Sequence, residues 1–216
     1  MLFDIDGTLA DTDALHVEAF NRIFGPRGYV FDRARAAKEL MGFSTASLAE
    51  RFLPDETPER QAAIMDEKEA LFRKLVSGKV QPVPGLMTLL AFADRAGIPM
   101  VAVTNAPRLN AEMLISGLGI MDRFKAIVIG DELAHGKPHP LPYLEGLRAV
   151  NADAGLSVAF EDSRSGIASA SAAGIATVGI RSSLSHAELV AAGALLTVAS
   201  FDDPELMKLI AATMGW

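Results

Sequence analysis

The chain has 216 residues, half of them hydrophobic, which is enough to bury a substantial core as one domain or one domain carrying an insert. A formal net charge of −7 without any Lys/Arg cluster argues against a nucleic-acid partner. With no cysteine there is no disulfide or thiol chemistry, no apolar run approaches the ~18 residues of a membrane span, and the N-terminus lacks a signal-peptide pattern, so a cytoplasmic protein without membrane partners is expected.

Met1-Leu2-Phe3 reads as a strand that stops at Asp4, with Asp6 two residues on and Gly7-Thr8 behind it. In a parallel α/β sheet, ligands sit beyond the carboxyl ends of the strands, so Asp4 and Asp6 would face a crevice. Gly7 would let the backbone turn away without a Cβ penalty. Taken alone, the tripeptide is equally a solvated Asp-x-Asp-Gly turn. Three residues make a short central strand, and the natural chain is expected to begin slightly earlier.

From Asp13 to about Lys79 the periodicity is helical. Residues 16–24 place Ala19, Phe20, Ile23 and Phe24 on one face and end at Gly25-Pro26, and residues 32–40, 45–53 and 58–76 repeat the theme. No strand signal interrupts this block, which reads as an inserted helical cap over 13–81. Val80 to Gly85 forms a stiff connector back to the main body. The core is then expected to comprise 1–12 and 82–216.

Beyond it, helices alternate with short apolar strands. Helices are expected over 86–96, 109–118, 141–150, 167–173, 186–192 and 204–214, and strands over 98–103, 126–129, 158–160, 177–180 and 195–198. This predicts an α/β fold with a doubly wound, mostly parallel, Rossmann-like sheet. There are no internal repeats and no low-complexity segments.

The chemistry gathers at strand ends. Asp4 and Asp6 follow the first strand, Thr104 and Asn105 another, Glu161 and Asp162 a third, and Lys137 lies in the loop Gly136-Lys137-Pro138-His139-Pro140. A carboxylate facing a phosphate at ~4 Å meets a repulsion of roughly 4 kcal/mol per charge pair at an effective dielectric of ~20. A divalent metal and a lysine are the usual remedy. Mg²⁺ takes oxygen ligands and needs only one or two carboxylates beside a substrate oxygen, which Asp4 and Asp162 satisfy. Thr104 and Asn105 are candidates to hold phosphate oxygens, and Lys137 to neutralise both nucleophile and phosphate.

These residues resemble the haloacid dehalogenase superfamily, whose phosphatases carry four such motifs in the same order. Here they are D-x-D-G-T-L-x-D-T at Asp4 to Thr12, T-N at Thr104, G-K-P-H-P at Gly136 and E-D-S-x-x-G at Glu161 to Gly166. The resemblance implies that Asp4 is the nucleophile forming an aspartyl-phosphate and that Asp6 is general acid, then base. It also implies an Mg²⁺ site of Asp4, the Asp6 carbonyl and Asp162, with Glu161 contributing directly or through water. An acid at Asp6 requires a pKa above the ~3.9 of a free Asp, which burial beneath a closed cap is expected to supply.

Within that superfamily the chain looks like the β-phosphoglucomutase-like branch, especially its sugar-phosphate and glycerol-phosphate phosphatases, through Asp66 to Lys74 and Val103 to Pro107. The mutase carries a lysine and an arginine where Met41 and Thr45 align here, so hydrolysis of a small phosphoester is expected over mutation. Phosphoglycolate phosphatase, a mutase-type phosphoryl transferase and a non-catalytic sugar-phosphate-binding protein are the alternatives. A receiver domain shares the acids, Thr and Lys but not the helical insert or Asp6-Gly7-Thr8, and a dehalogenase needs neither Asp6 nor the metal constellation.

For single residues, two readings compete. His16 either couples cap closure to Asp6, as in that branch, or is a solvated helix histidine. Lys68 either reaches substrate or, the favoured reading, is a solvated helix lysine. Gly42, Phe43 and Ser44 are expected to contact substrate from the cap. His139 is expected to be a structural hydrogen-bonder, His135 and His186 surface residues, and Met65, Met87 and Met113 core residues. Ser163 and Ser165 are expected to cap the helix after Asp162. The assembly expected is a monomer or weak homodimer.

Overall fold

Apolar residues on both faces of the strands dictate a sheet covered on two sides. The computed structural model describes residues 1–215. The strands are β1 (Leu2–Phe3), β2 (Met100–Thr104), β3 (Phe124–Ile129), β4 (Val158–Glu161), β5 (Ala176–Ile180) and β6 (Leu196–Val198). They form one sheet in the order β3-β2-β1-β4-β5-β6, and every pairing is parallel. The order reverses at β1, so the crevice beyond its carboxyl end is a topological switch point. β1 therefore delivers Asp4 and Asp6 to the centre of the ligand-binding edge.

Ten helices are described: α1 (Asp13–Phe24), α2 (Arg33–Glu39), α3 (Thr45–Phe52), α4 (Pro58–Val76), α5 (Leu86–Ala96), α6 (Arg108–Gly117), α7 (Leu141–Ala149), α8 (Arg164–Ala172), α9 (His186–Ala192) and α10 (Pro204–Met214). One face of the sheet packs Phe3, Phe160 and Phe201, with Phe3 and Phe160 stacked at 4.7 Å. The other packs Leu2, Val101 and Val103 against Tyr143 and Leu147 of α7. A separate apolar cluster lies within the segment between β1 and α5, built on Phe20, Phe24, Phe31, Phe52, Ile64 and Met65. The chain leaves and re-enters the sheet region through two paired segments: Val83 N–H donates to Leu9 O at 3.0 Å, and Ala10 bridges Pro82.

Local chemistry explains most boundaries. Asp32, Ser44 and Thr57 accept from the backbone N–H three residues on and start α2, α3 and α4, the last with Pro58 at its first position. α1 begins at Asp13, three residues before the expected start, and without a side-chain cap, because the Thr12 hydroxyl donates to Asp6 instead. Ser163 caps α8, as expected, so that helix starts at Arg164 rather than Ile167. Ser165 does not cap; its hydroxyl donates to Gly42 O at 2.6 Å. Met65 is buried and Met113 packs against the core, but Met87 is 40% exposed because Leu86, Leu89, Leu90 and Ala93 already define the inward face of α5.

Candidate active site

The carboxyl ends of β1, β2 and β4 and the loop after β3 converge on one buried centre. Lys137 Nζ lies 2.6 Å from Asp4 Oδ1, 2.5 Å from Glu161 Oε1 and 2.7 Å from Val103 O. The Tyr143 hydroxyl donates to Glu161 Oε1 at 2.7 Å, and the Ser182 hydroxyl to Asp162 Oδ2 at 3.0 Å. Burial raises the Asp4 pKa well above the usual carboxylate range, with Lys137 opposing and Glu161 and Asp6 adding to the rise. Asp162 is raised in the same way, by burial first and then by Asp13, Asp4 and Glu161. Lys137 is itself pushed down by burial, yet the charges of Asp4 and Glu161 win and hold it as an ammonium.

Three carboxylates against one lysine leave negative charge in excess, and a carboxylate oxygen from each of Asp4, Glu161 and Asp162 lies within 4.8 Å of the others. An all-oxygen acidic set of this kind suits a hard divalent cation. The backbone leaves room for it: Gly7 sits at φ +75°, where a Cβ would collide with Asp162 Oδ2. Glu161 is already engaged, since Oε1 accepts from Lys137 and Tyr143 and Oε2 from Ser163 at 3.3 Å. Its place is therefore behind Asp4 and Asp162 rather than beside them.

Asp6 departs from expectation. Burial does push its pKa up, but the charge and hydrogen bond of His16, the Thr12 hydroxyl and the charge of Lys68 outweigh it, and the net shift is downward. Both partners sit on Oδ1, His16 Nε2 at 3.0 Å and Thr12 Oγ1 at 2.8 Å, which leaves Oδ2 without a partner among the described residues. His16 is no solvated histidine: its ring stacks on Phe72 at 3.7 Å and its Nδ1 lies 3.2 Å from Lys68 Nζ. Lys68 is likewise not a solvated lysine, being 2% exposed with its ammonium 2.9 Å from Glu69 Oε1 and 4.5 Å above the Phe20 ring.

The cavity measures about 80 Å³ and is lined by Asp4, Asp6, Thr104 and Lys137 from the sheet side, by His16 and Lys68 from α1 and α4, and by Gly42 and Phe43 from the loop between α2 and α3. Thr104 is buried and its hydroxyl accepts from Ala106 N–H at 3.0 Å. Asn105 borders the cavity but offers no free amide donor: Nδ2 donates to Gly42 O at 3.1 Å and Lys137 O at 3.0 Å, and Oδ1 accepts from Lys137 N–H. It braces the loops rather than awaiting a phosphate. Ser44 is not on the wall; its hydroxyl caps α3, and its neighbour Thr45 lines the cavity. His139 accepts from Leu141 N–H, as a structural residue would, and His135 and His186 are exposed.

Four participants escaped the sequence reading. Thr12 stood in the first motif, where its spacing from Asp6 was the signal. Tyr143 carried none, because a buried tyrosine on a helix face reads as core. Glu69 lines the cavity beside Lys68, although neighbours in a helix do not normally share a face. Asn110 donates to Glu69 Oε2 at 2.7 Å and accepts from Arg73 at 2.8 Å, joining α6 to α4.

An all-parallel sheet with buried aspartates, a lysine and an acidic cluster at its switch point is the arrangement of a hydrolase built on an α/β core. The chain belongs to the haloacid dehalogenase-like hydrolase family, whose family model matches residues 1–180. It is 33% identical over 195 residues to protein CbbY of Rhodobacter capsulatus, covering 82% of this chain and 83% of that protein. It is 30% identical to the fructose-1-phosphate phosphatase YqaB of Escherichia coli, over 84% of this chain and 95% of that one. The crystal structure of a CbbY variant from Rhodobacter sphaeroides in complex with xylulose-(1,5)bisphosphate superposes with a TM-score of 0.83 at 32% identity, covering 94% of each chain. Among the described residues, no helix is long and apolar enough to cross a membrane.

Proposed function

We propose that this chain is a magnesium-dependent phosphatase of small phosphomonoesters, sugar or polyol phosphates, working through an aspartyl-phosphate on Asp4. The observation that carries the reading is the grip of Lys137 on Asp4 at 2.6 Å inside a buried acidic cluster, with Asp6 held separately by His16 and Thr12. The fructose-1-phosphate phosphatase among its relatives supports the same substrate class.

Asp4 attacks phosphorus as the ester P–O bond breaks. Lys137 holds the attacking carboxylate in place and offsets the charge that gathers on the phosphoryl oxygens. Asp6 gives the leaving alkoxide a proton through Oδ2, then takes one from the water that attacks the acyl phosphate, and phosphate departs with Asp4 restored. The lowered pKa of Asp6 is offset as substrate enters: an arriving phosphate dianion disfavours the ionised carboxylate and favours the protonated acid that the leaving group needs. Asp4, Asp162 and the Asp6 carbonyl, with Glu161 behind, would hold Mg²⁺, which would supply charge neutralisation at the phosphate.

Residues 13–81 act as a cap over a core of 1–12 and 82–216, and the paired segments at Leu9-Ala10 and Pro82-Val83 act as its hinge. Thr104 contacts the phosphate, Lys68, Gly42 and Phe43 meet the rest of the substrate, and Asn105 and Ser44 act indirectly. The working form is a cytoplasmic monomer or weak homodimer whose partner is the phosphoester alone.

Phosphate release from hexose, pentose, glycerol and glycolate phosphates, with Mg²⁺ and with chelator, tests the reading. Mg²⁺-dependent release that Asp4→Asn abolishes is expected. Folded, metal-loaded protein that binds these esters without releasing phosphate would overturn it.

A further inference from the structure

With the phosphate at Asp4 and Lys137, the remainder of a substrate points toward α1, α4 and the loop at Gly42. Among the described residues, the only lysines or arginines on the cavity wall are Lys137 and Lys68. Lys137 is committed to Asp4 and Glu161. Lys68 is matched by Glu69, an equally buried neighbour at 5% exposure whose carboxylate lies 2.9 Å from the ammonium and is fixed from the other side by Asn110 at 2.7 Å. Burial pushes the Glu69 pKa up, but Lys68, His16 and Asn110 outweigh it, so the group is an anion.

The cap end of the cavity therefore carries a matched pair and no spare cation. A second phosphate or a carboxylate entering there would be desolvated with nothing of opposite sign to receive it. Hydroxyls fare differently. A carboxylate has about four acceptor sites and an ammonium three donors, and here each uses two, so both acceptors and a donor are left for a group that can give and take a hydrogen bond.

Resting on the phosphatase reading above, we propose that Glu69 is a specificity-determining residue: by neutralising Lys68 it restricts the enzyme to monophosphates of uncharged polyhydroxy alcohols and rejects bisphosphates and phosphoglycolate.

The test is phosphate release with Mg²⁺ from a hexose monophosphate and glycerol phosphate, against a hexose bisphosphate and phosphoglycolate. Wild-type protein is expected to favour the uncharged alcohols. Glu69→Gln, which frees Lys68, is expected to raise the ratio of kcat/KM for the anionic over the neutral esters by about tenfold, mainly through KM, and Glu69→Asp to hold it near wild type. Equal losses on all four esters would show Glu69 to be only a strut between α4 and α6 and would overturn the proposal. So would wild-type preference for the bisphosphate or phosphoglycolate, whether or not the variants fold. If wild-type protein cleaves none of the esters, the phosphatase reading falls together with this one; if it cleaves neutral esters but the ratio does not move, only the role of Glu69 falls.

Discussion

Lys137 is the one cation shared by two buried carboxylates, Asp4 and Glu161, so its removal strikes stability as well as catalysis. Lys137→Ala leaves Asp4 and Glu161 facing each other without their cation, and an uncompensated buried charge of this kind costs about 3–5 kcal/mol. Denaturant unfolding of the metal-free protein is expected to show a loss of that order, and an unchanged midpoint would mean the cluster is protonated rather than paired. Glu69 makes the corresponding case for pH. Its pKa is lower folded than unfolded, so its contribution is present above the unfolded value of about 4.3 and is lost as pH falls through the folded value. Glu69→Gln is therefore expected to lose less stability than wild type between about pH 5 and pH 3. Parallel acid limbs in the two unfolding profiles would contradict that assignment. These groups differ in how far the sequence disclosed them. Lys137 stood in a motif at a strand-end loop, whereas Lys68 read as a solvated helix lysine and Glu69 carried no reading of its own, because their partners His16 and Asn110 come from α1 and α6, far along the chain.

At the scale of elements, the helical insert meets the sheet body through a few named contacts. Gly42 O accepts from both Asn105 Nδ2 and Ser165 Oγ, Arg33 donates to Ser182 O at 2.7 Å, and Ala37 packs beside Ile167 and Leu189. Gly42 can make this approach because it has φ +79° and no Cβ; a methyl there would lie 2.6 Å from Ser163 Cβ. Ser165→Ala removes one of the two donors, and a hydrogen bond of about 1 kcal/mol lost only from the closed form should weaken closure roughly fivefold. Stopped-flow or steady-state KM for the preferred ester is expected to rise by that factor with global stability within about 0.5 kcal/mol of wild type. A kcat loss with KM unchanged would place Ser165 in the chemistry instead. Elements of this kind were legible where a local rule decides them: α4 and α5 have the expected ends because Thr57-Pro58 and Gly97 mark them. The role of Asn105 was not, because its partners are backbone carbonyls of loops 63 and 32 residues away.

Across the whole molecule, alternating apolar strands and helices made the doubly wound sheet and a central first strand readable, but strand order is a matter of which edges meet, and only the fold reveals that β2 and β4 flank β1. That position has an energetic consequence. Placing β1 between β2 and β4 brings Asp4 and Asp162 into one desolvated pocket, with Glu161 behind them, and gathers more carboxylate than Lys137 can balance. A divalent cation bound by the folded chain and not by the unfolded one adds RT ln(1 + [L]/Kd), about 2.7 kcal/mol at a hundredfold excess over Kd. For a domain of this size that corresponds to a rise in Tm of roughly 5–10 °C. Thermal unfolding in Mg²⁺ against chelator is expected to show this rise, and Asp162→Asn to shrink it while raising the stability of the chelated form, since the substitution removes one of the mutually repelling charges. A Tm indifferent to Mg²⁺ at millimolar concentration, in wild type and variant alike, would mean that the acidic cluster is balanced by its protons and holds no metal.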